Sequence, residues 1–508
     1  MTSSANQNID HVFVLMLENR SFDHMLGFSM IHGTDALTGD PTAILGLSGK
    51  EYNPYQSQQY PVLLGADYTM PVDPGHEFTD VVEQLCGQGV TYTNGGEYPR
   101  INNMGFASNY ATTKSAGEGG ATGDFGEIMK CYDSNKQLPV MTSLAKQFAV
   151  CDNWFASLPG PTWPNRFFLH GASSAGLDHS PTAAEISAWE TVDGFAFPNG
   201  SVYDSMDTHQ VTWRIYRGVN SPLIGSIPCV SALKGIEFWD THPFQDFNHD
   251  INGQYPFSYT FIEPNYGDVT NNTYSGGQSQ HPMDDVRNGE ALIKSTYEAI
   301  RNSPLWTKSL LLIIYDEHGG FYDHFAPPAA IAPGDTVQQY NQYGFTFQQY
   351  GVRVPALIIS AYTPKNVIDH RTFDHSSVPA TLAAMFGLPS LTKRDAQANN
   401  VTALASLDDA RTDAPAILPD PVMISTAEMA AAQLKKGKIA NDGESLNKGN
   451  LPGFLHIALK GELKMAGTAQ EKNAILARFK QLKTRGDARM YLQKVLPELN
   501  AVPPRQKR

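Results

Sequence analysis

Short, unbroken apolar runs stand out against a polar, glycine-rich background. Four of them, His11–Leu17 (HVFVLML), Val211–Tyr216 (VTWRIY), Ser309–Tyr315 (SLLLIIY) and Val354–Ser360 (VPALIIS), read as strands buried on both faces, since they lack the alternation of a half-exposed strand. Glu290–Arg301 (EALIKSTYEAIR) has apolar positions at helical spacing and leads into the third run, and Val378–Phe386 (VPATLAAMF) reads as a short helix with proline in its first turn. Strands alternating with helices predict an α/β fold with a mainly parallel central sheet. The Gly-, Asn- and Pro-rich segments 31–75, 171–210 and 242–285 are expected to form loops or a cap above that sheet. The proline-rich stretch DAPAILPDPV marks a linker at 406–424, between a main domain (1–405) and a small helical C-terminal module (425–508).

Composition supports a large core, with 41% hydrophobic and 17% charged residues in 508, and charge separates the two parts. From Pro421 to Arg508 the chain carries a net +9, so the remainder carries −23 of the overall −14. This asymmetry fits either a separate task or a basic tail docked on an acidic body. Within the tail, Ala474–Leu496 alternates Ile475, Leu476, Phe479, Leu482, Met490, Leu492 and Leu496 with Lys and Arg, interrupted by Gly486. Such a helix lies on an anionic bilayer or packs against protein; the acidic body and Gly486 favour packing, and a homo-oligomer through this module stays open. Cys86, Cys131, Cys151 and Cys229 show neither CxxC nor zinc-finger spacing. No stretch approaches the ~20 apolar residues of a membrane span. Val12–Leu17 is too short for a signal h-region and ends at Glu18, so a cytoplasmic location, export by a route other than Sec, or a sequence recorded after processing is expected.

The candidate chemistry follows the strands. His11–Leu17 runs into Glu18-Asn19-Arg20-Ser21-Phe22-Asp23, and Ser309–Tyr315 into Asp316-Glu317-His318-Gly319-Gly320. Ligands of open parallel sheets bind beyond the carboxyl ends of strands, and oxygen ligands gathered there suit a divalent cation. Either cluster alone reads as loop carboxylates capping helices; both together favour the cation. Thr162, in Pro159-Gly160-Pro161-Thr162-Trp163-Pro164-Asn165-Arg166, stands at a helix start, where it serves as a cap or offers a hydroxyl where phosphate binds well. His76, His281 and His375 are candidates for phosphoryl contact or acid–base work, each weighed against an ordinary hydrogen-bonded structural role.

These elements, in this order, resemble the phosphoesterase family that includes bacterial phosphatidylcholine-hydrolysing phospholipases C, plant non-specific phospholipases C and some bacterial acid phosphatases. The resemblance rests on IDHVFVLMLENRSFDHMLGF (9–28), DPGHEF (73–78), FAVCDNWFASLPGPTWPNRFFLHGASS (148–174), QHPMDDVRNGE (280–290), YDEHGGFYDHFAPP (315–328) and RTFDHSSVPATL (371–382). It implies an alkaline-phosphatase-like core and one divalent metal held by Glu18, Asn19, Asp316, Glu317 and the Thr162 hydroxyl. Zn²⁺ is placed ahead of Ca²⁺, Mg²⁺ and Mn²⁺. It also implies a phospho-threonine intermediate on Thr162, His76 and His281 at the phosphoryl group with one as acid or base, and a catalytic-site place for His375. Asn165, Arg166 and His324 are taken as substrate-binding.

The implied activity is phospholipase C action on phosphatidylcholine-type lipids at a membrane surface, with no nucleic-acid partner. The DEHGG form of the second loop favours the lipase branch over the acid phosphatases. The rivals are a phosphomonoesterase on the same scaffold and, from another class, a non-catalytic membrane-surface binder. Tyr203, Trp213 and Tyr216 are candidates for a choline cage.

Overall fold

The computed structural model describes residues 8–113, 121, 123–182, 185, 193–219, 223–425, 428, 442–447 and 449–505. Its centre is a ten-stranded sheet built from β1 (His11–Leu17), β2 (His32–Asp35), β3 (Pro41–Ala43), β4 (Ala149–Cys151), β5 (Trp213–Arg217), β6 (Thr241–Pro243), β7 (Tyr259–Glu263), β8 (Ser309–Tyr315), β9 (Ala356–Ser360) and β10 (Val367–Asp369). The spatial order is β6-β5-β7-β1-β8-β9-β4-β10-β2-β3. Pairing is parallel from β6 through β8 and antiparallel where β9 meets β8 and β4. The mainly parallel α/β expectation therefore holds; the antiparallel strands are β9, within the predicted Val354–Ser360 run, and the edge strand β3.

Every residue of β1 and β8 is buried. That is why these strands read as continuous apolar runs: helices and loops cover both faces of the sheet. Their register pairs Leu17 with Tyr315, so the two strands end side by side and release Glu18 and Asp316 together. The predicted Val211–Tyr216 strand is β5, starting two residues later. β7 lies inside the segment expected to be loop, as do β2 and β3 in 31–75. That stretch also carries a hairpin, Tyr52–Tyr55 with Gln58–Pro61.

Three helices position the site. The first, α1 (Thr162–Gly171), is buried throughout. The second, α2 (Val286–Arg301), starts four residues before the predicted boundary because Asp285 caps it, its side chain accepting from the Arg287 N–H. The third, α3 (Ser377–Phe386), ends at Gly387, whose φ of 67° is the left-handed conformation glycine adopts without strain. The 406–424 segment is strapped to α2: Arg301 donates to the Ala414 carbonyl, Tyr297 to that of Pro415 and Lys294 to that of Leu418.

The C-terminal region forms α4 (Leu451–Met465), α5 (Ala469–Phe479) and α6 (Arg485–Ala501). The break in the amphipathic stretch lies before Gly486, at Thr484, where Thr484 and Asp487 form a capping box. Gly486 sits inside the first turn of α6. Leu492, Val495, Leu496 and Leu499 are buried in the same hydrophobic core as β1 and β8, while Met490 is exposed. Basic side chains dock on the acidic body. Lys460 Nζ donates to the carbonyls of Ser231, Leu233 and Ile236, Lys464 pairs with Asp193 at 2.9 Å, and Arg485 donates to the carbonyls of Val269 and Thr270. The apolar face of this stretch is packed against protein, as the charge asymmetry suggested. All four cysteines are buried and free.

Candidate active site

The ends of β1 and β8 are tied to one another before any side chain is considered. Arg20 N–H donates to the Glu317 carbonyl at 2.9 Å, and Asn19 N–H donates to Asp316 Oδ1 at 2.9 Å. Asn19 takes a left-handed φ of 56° to make this turn. Gly319 lies so close that a Cβ would stand 2.3 Å from the Asn19 carbonyl oxygen, which accounts for the glycine after Asp-Glu-His. Asp316 Oδ1 also accepts from the Glu317 N–H, at 2.7 Å, and Oδ2 accepts from Arg166 Nε at 2.9 Å.

Glu18 is different: it is fully buried, and the Ser279 side chain approaches its carboxylate without reaching hydrogen-bond geometry. Burial is the main cause that pushes its pKa up to about 8; Asp316 and Glu317 push the same way, against Arg166 and Ser279. Asp316 rises to about 6, again first through burial, with Arg166 opposing. Glu317 Oε1 also lacks a partner, while Oε2 accepts from the Gly319 N–H.

Thr162 is the first residue of α1, and Pro161 holds the cap position without a side-chain bond. The threonine is therefore not the cap. Its hydroxyl is buried and directed at Asn19 Oδ1, 3.5 Å away. It stands at a helix start, where N–H groups lack an intrahelical partner, although Pro164 supplies none.

Asn165, expected to bind substrate, is spent on the loop that presents Thr162. Its Nδ2 donates to the carbonyls of Leu158, Gly160 and Pro161, and its Oδ1 accepts from the Leu158 N–H. Arg166 is likewise committed. It is 1% exposed, pairs with Asp316 and with Glu263 (3.3 Å), and donates to the Leu17 carbonyl. Both residues hold the site together from below, because their polar atoms are already engaged in the core.

His76 and His281 do come together, with ring centroids 6.0 Å apart. His76 Nδ1 donates to the Pro74 carbonyl at 2.8 Å, which leaves Nε2 to serve the site. Burial works against its charged form, yet Glu317, Asp73 and Glu77 overrule it and hold the pKa at about 9. His281 goes the other way: burial, then His76 and Arg20, push it well below the ordinary value. Its ring lies flat on Tyr274, centroids 3.4 Å apart. The pair thus offers one protonated and one neutral imidazole.

His375 has no such freedom. Nε2 donates to the Asp316 carbonyl at 2.5 Å and Nδ1 accepts from Trp154 Nε1 at 3.2 Å. Both ring nitrogens are used to fix the end of β8, so its geometry is that of a support and not of an acid or base. His324 Nδ1 donates to Asp23 Oδ2 at 2.6 Å, in a network with Asp323 and Arg353.

Glu18 and Glu317 hold buried oxygens with no formed hydrogen bond, and oxygen donors of this kind fit a hard or borderline divalent ion. The three expected carboxylates are gathered but not closely clustered. Among the described residues the one His/Asp/Glu group with ligand atoms within 4.8 Å of one another is Asp23, Asp323 and His324. There, Arg353 supplies the positive charge, at 3.1 Å from Asp23 and 2.9 Å from Asp323, and the ion-pair reading suffices.

Sequence reasoning missed Glu263, Tyr274 and Asn450. Glu263 had a signal, since Tyr259–Glu263 (YTFIE) is an apolar run ending in glutamate, like His11–Glu18. The proposed cage residues do not form one: Tyr203 and Trp213 are buried against each other, and Tyr216 Oη donates to Asp250.

Comparison with known proteins gives a consistent picture. The family model "Phosphoesterase family" matches residues 9–389. Non-specific phospholipase C3 of Arabidopsis thaliana is 33% identical over 431 residues, covering 82% of this chain and 77% of that one. Phospholipase C B of Mycobacterium tuberculosis is 28% identical over 427 residues, covering 78% and 77%. Among solved structures, a protein of the alkaline phosphatase superfamily from Vibrio parahaemolyticus aligns over 74% of this chain and 75% of its own, with 13% identity and a TM-score of 0.31. A score of that size adds nothing to the fold reading, which rests on the sheet and its helices.

Proposed function

The chain belongs to the phosphoesterase family, and on that premise we propose that it is a metal-dependent phospholipase C, cleaving phosphatidylcholine-type glycerophospholipids to diacylglycerol and the phosphorylated head group. The observation that carries this reading is the Thr162 hydroxyl, held at the start of α1 and facing Asn19 at the joined ends of β1 and β8. The relatives named as phospholipases C supply the substrate class.

Glu18, Asn19, Asp316, Glu317 and Thr162 would hold the ion, with Zn²⁺ placed first. Bound there, a divalent ion supplies charge stabilisation for phosphoryl oxygens and lowers the pKa of a coordinated hydroxyl. Arg166 orients Asp316, and Glu263 balances Arg166, so the carboxylates stay fixed while charge develops. Thr162 Oγ1, having released its proton to solvent, attacks phosphorus, forming the Oγ1–P bond as the P–O bond to the glycerol breaks. His76, the protonated imidazole, gives its proton to the leaving diacylglycerol oxygen, a poor leaving group without one. His281, the neutral imidazole, accepts from the Met283 N–H at Nδ1, so its Nε2 carries the proton and donates beside it. Water then attacks the phosphorus of the Thr162–phosphocholine ester, its proton passing to His76, and Thr162 Oγ1 leaves, taking a proton from solvent as phosphocholine departs. No helix among the described residues is long and apolar enough to cross a membrane; the lipid is met at a surface.

Product identification tests the proposal. Metal-replete enzyme should release diacylglycerol and phosphocholine from phosphatidylcholine vesicles, and Thr162→Ala should release neither. Inorganic phosphate from monoesters, with no diacylglycerol from lipid, would replace the lipase with a phosphomonoesterase.

A further inference from the structure

The residue just before α4 does not act as a helix cap. Asparagine is favoured there because its side-chain oxygen accepts from N–H groups of the first turn, yet Asn450 makes no such bond. The side chain is buried instead, and its amide nitrogen lies 3.5 Å from Thr162 Oγ1 and 3.3 Å from Tyr274 Oη. Tyr274 is the ring stacked on His281. A residue almost three hundred positions beyond Thr162 thus stands between it and a histidine of the phosphoryl site.

This approach is fixed by packing. Gly453, in the first turn of α4, lies against the residue that follows Thr162: a Cβ there would meet the Trp163 ring at 2.2 Å. Phe454 completes the contact, its ring 5.6 Å from Trp163 and 5.2 Å from Tyr266. Lys460, one turn and a half further along, is held by three carbonyls of the main body. The start of α4 therefore has a set position relative to the start of α1.

We propose that Asn450 is a positioning residue of the nucleophile, contributed by the C-terminal helices. Its NH₂ group has two donors, one directed at Thr162 Oγ1 and the other at Tyr274. With Asn450 donating to it, the threonine hydroxyl directs its own hydrogen at Asn19 Oδ1, which fixes the oxygen that must attack. A donor on that oxygen also favours the form that has lost its proton. The inference rests on the reading of Thr162 as nucleophile.

The test uses the full-length, metal-replete enzyme on a soluble diester, p-nitrophenylphosphorylcholine, with Asn450→Asp, Asn450→Ala and Thr162→Ala. Asn450→Asp keeps the shape and removes the donor. Both Asn450 variants should lower kcat by roughly 10- to 100-fold, leave KM within about twofold and move the rising limb of the kcat–pH profile to higher pH. Their melting temperatures should stay near that of the wild type. Wild-type kcat and pH profile in Asn450→Asp would overturn the inference. So would a loss of kcat that tracks a loss of thermal stability with no movement of the pH limb, or failure of both variants to fold, since each outcome makes Asn450 structural. Turnover by Thr162→Ala would sink the nucleophile reading by itself, whatever the Asn450 variants do.

Discussion

Glu18→Gln should make the metal-free protein more stable while abolishing its activity. Glu18 is fully buried, without a formed hydrogen bond, and raised from 4.5 to about 8. An acid that holds its proton more tightly when folded contributes its full stability below about pH 4.5, and loses it as pH rises toward 8. At 1.36 kcal/mol per pKa unit, the metal-free folded state gives up roughly 4–5 kcal/mol across that window. Glutamine removes the titration but leaves an amide without partners, which costs about 1–2 kcal/mol. The variant should therefore be ahead by roughly 2–3 kcal/mol at pH 8 and show no advantage near pH 5. For a cooperative unit of this length, that is a melting temperature about 2–3 °C higher at pH 8. Asp316, itself raised to about 6, pushes Glu18 the same way, so the pH window belongs to the pair. The assay is scanning calorimetry in chelator from pH 5 to 8.5, followed by metal analysis and turnover after chelator removal. Equal or lower stability of Glu18→Gln at pH 8, or an advantage that does not grow with pH, would refute the reasoning. So would retention of bound metal.

Asp316→Ala should lose both bound ion and turnover, read by elemental analysis and product release, because Asp316 shares the strand-end cluster with Glu18. Arg166→Met should cost about 3–5 kcal/mol in denaturant titration, since it leaves two buried carboxylates without their counter-charge. Gly453→Ala should lower thermal stability by roughly 1–3 kcal/mol and reduce turnover, because the new methyl meets the Trp163 ring next to the nucleophile. Deleting residues 421–508 should reduce activity on vesicles and on the soluble diester together; loss on vesicles alone would make the tail a membrane-recruiting device.

The strands that lead into the site were legible because burial on both faces requires unbroken apolar runs, which His11–Leu17 and Ser309–Tyr315 both show. β7 was not, because it is a five-residue strand between glycine- and asparagine-rich loops and only the sheet reveals its neighbours. Glu18, Asn19, Asp316 and Glu317 could be found, since strand ends announce themselves by a switch from apolar to acidic. What sequence could not separate was function from support. Asn165 and Arg166 lie in the same motif as Thr162, and His375 in another stretch shared with the family, yet their polar atoms are taken up by Leu158, Glu263, Asp316 and Trp154. Hydrogen-bond satisfaction is a property of three-dimensional packing and leaves no local trace. Asn450 had no signal at all, because its partners come from distant parts of the chain.

The central claim is that Thr162 carries the phosphoryl group. The most direct measurement is rapid acid quench of the metal-replete enzyme turning over a soluble phosphodiester, followed by peptide mass spectrometry. With p-nitrophenylphosphorylcholine as that diester, the expected result is a peptide with phosphocholine esterified to Thr162, appearing before steady state and absent from Thr162→Ala. Full turnover with an unmodified Thr162 peptide at every quench time, or the phosphocholine on another residue, would contradict the claim.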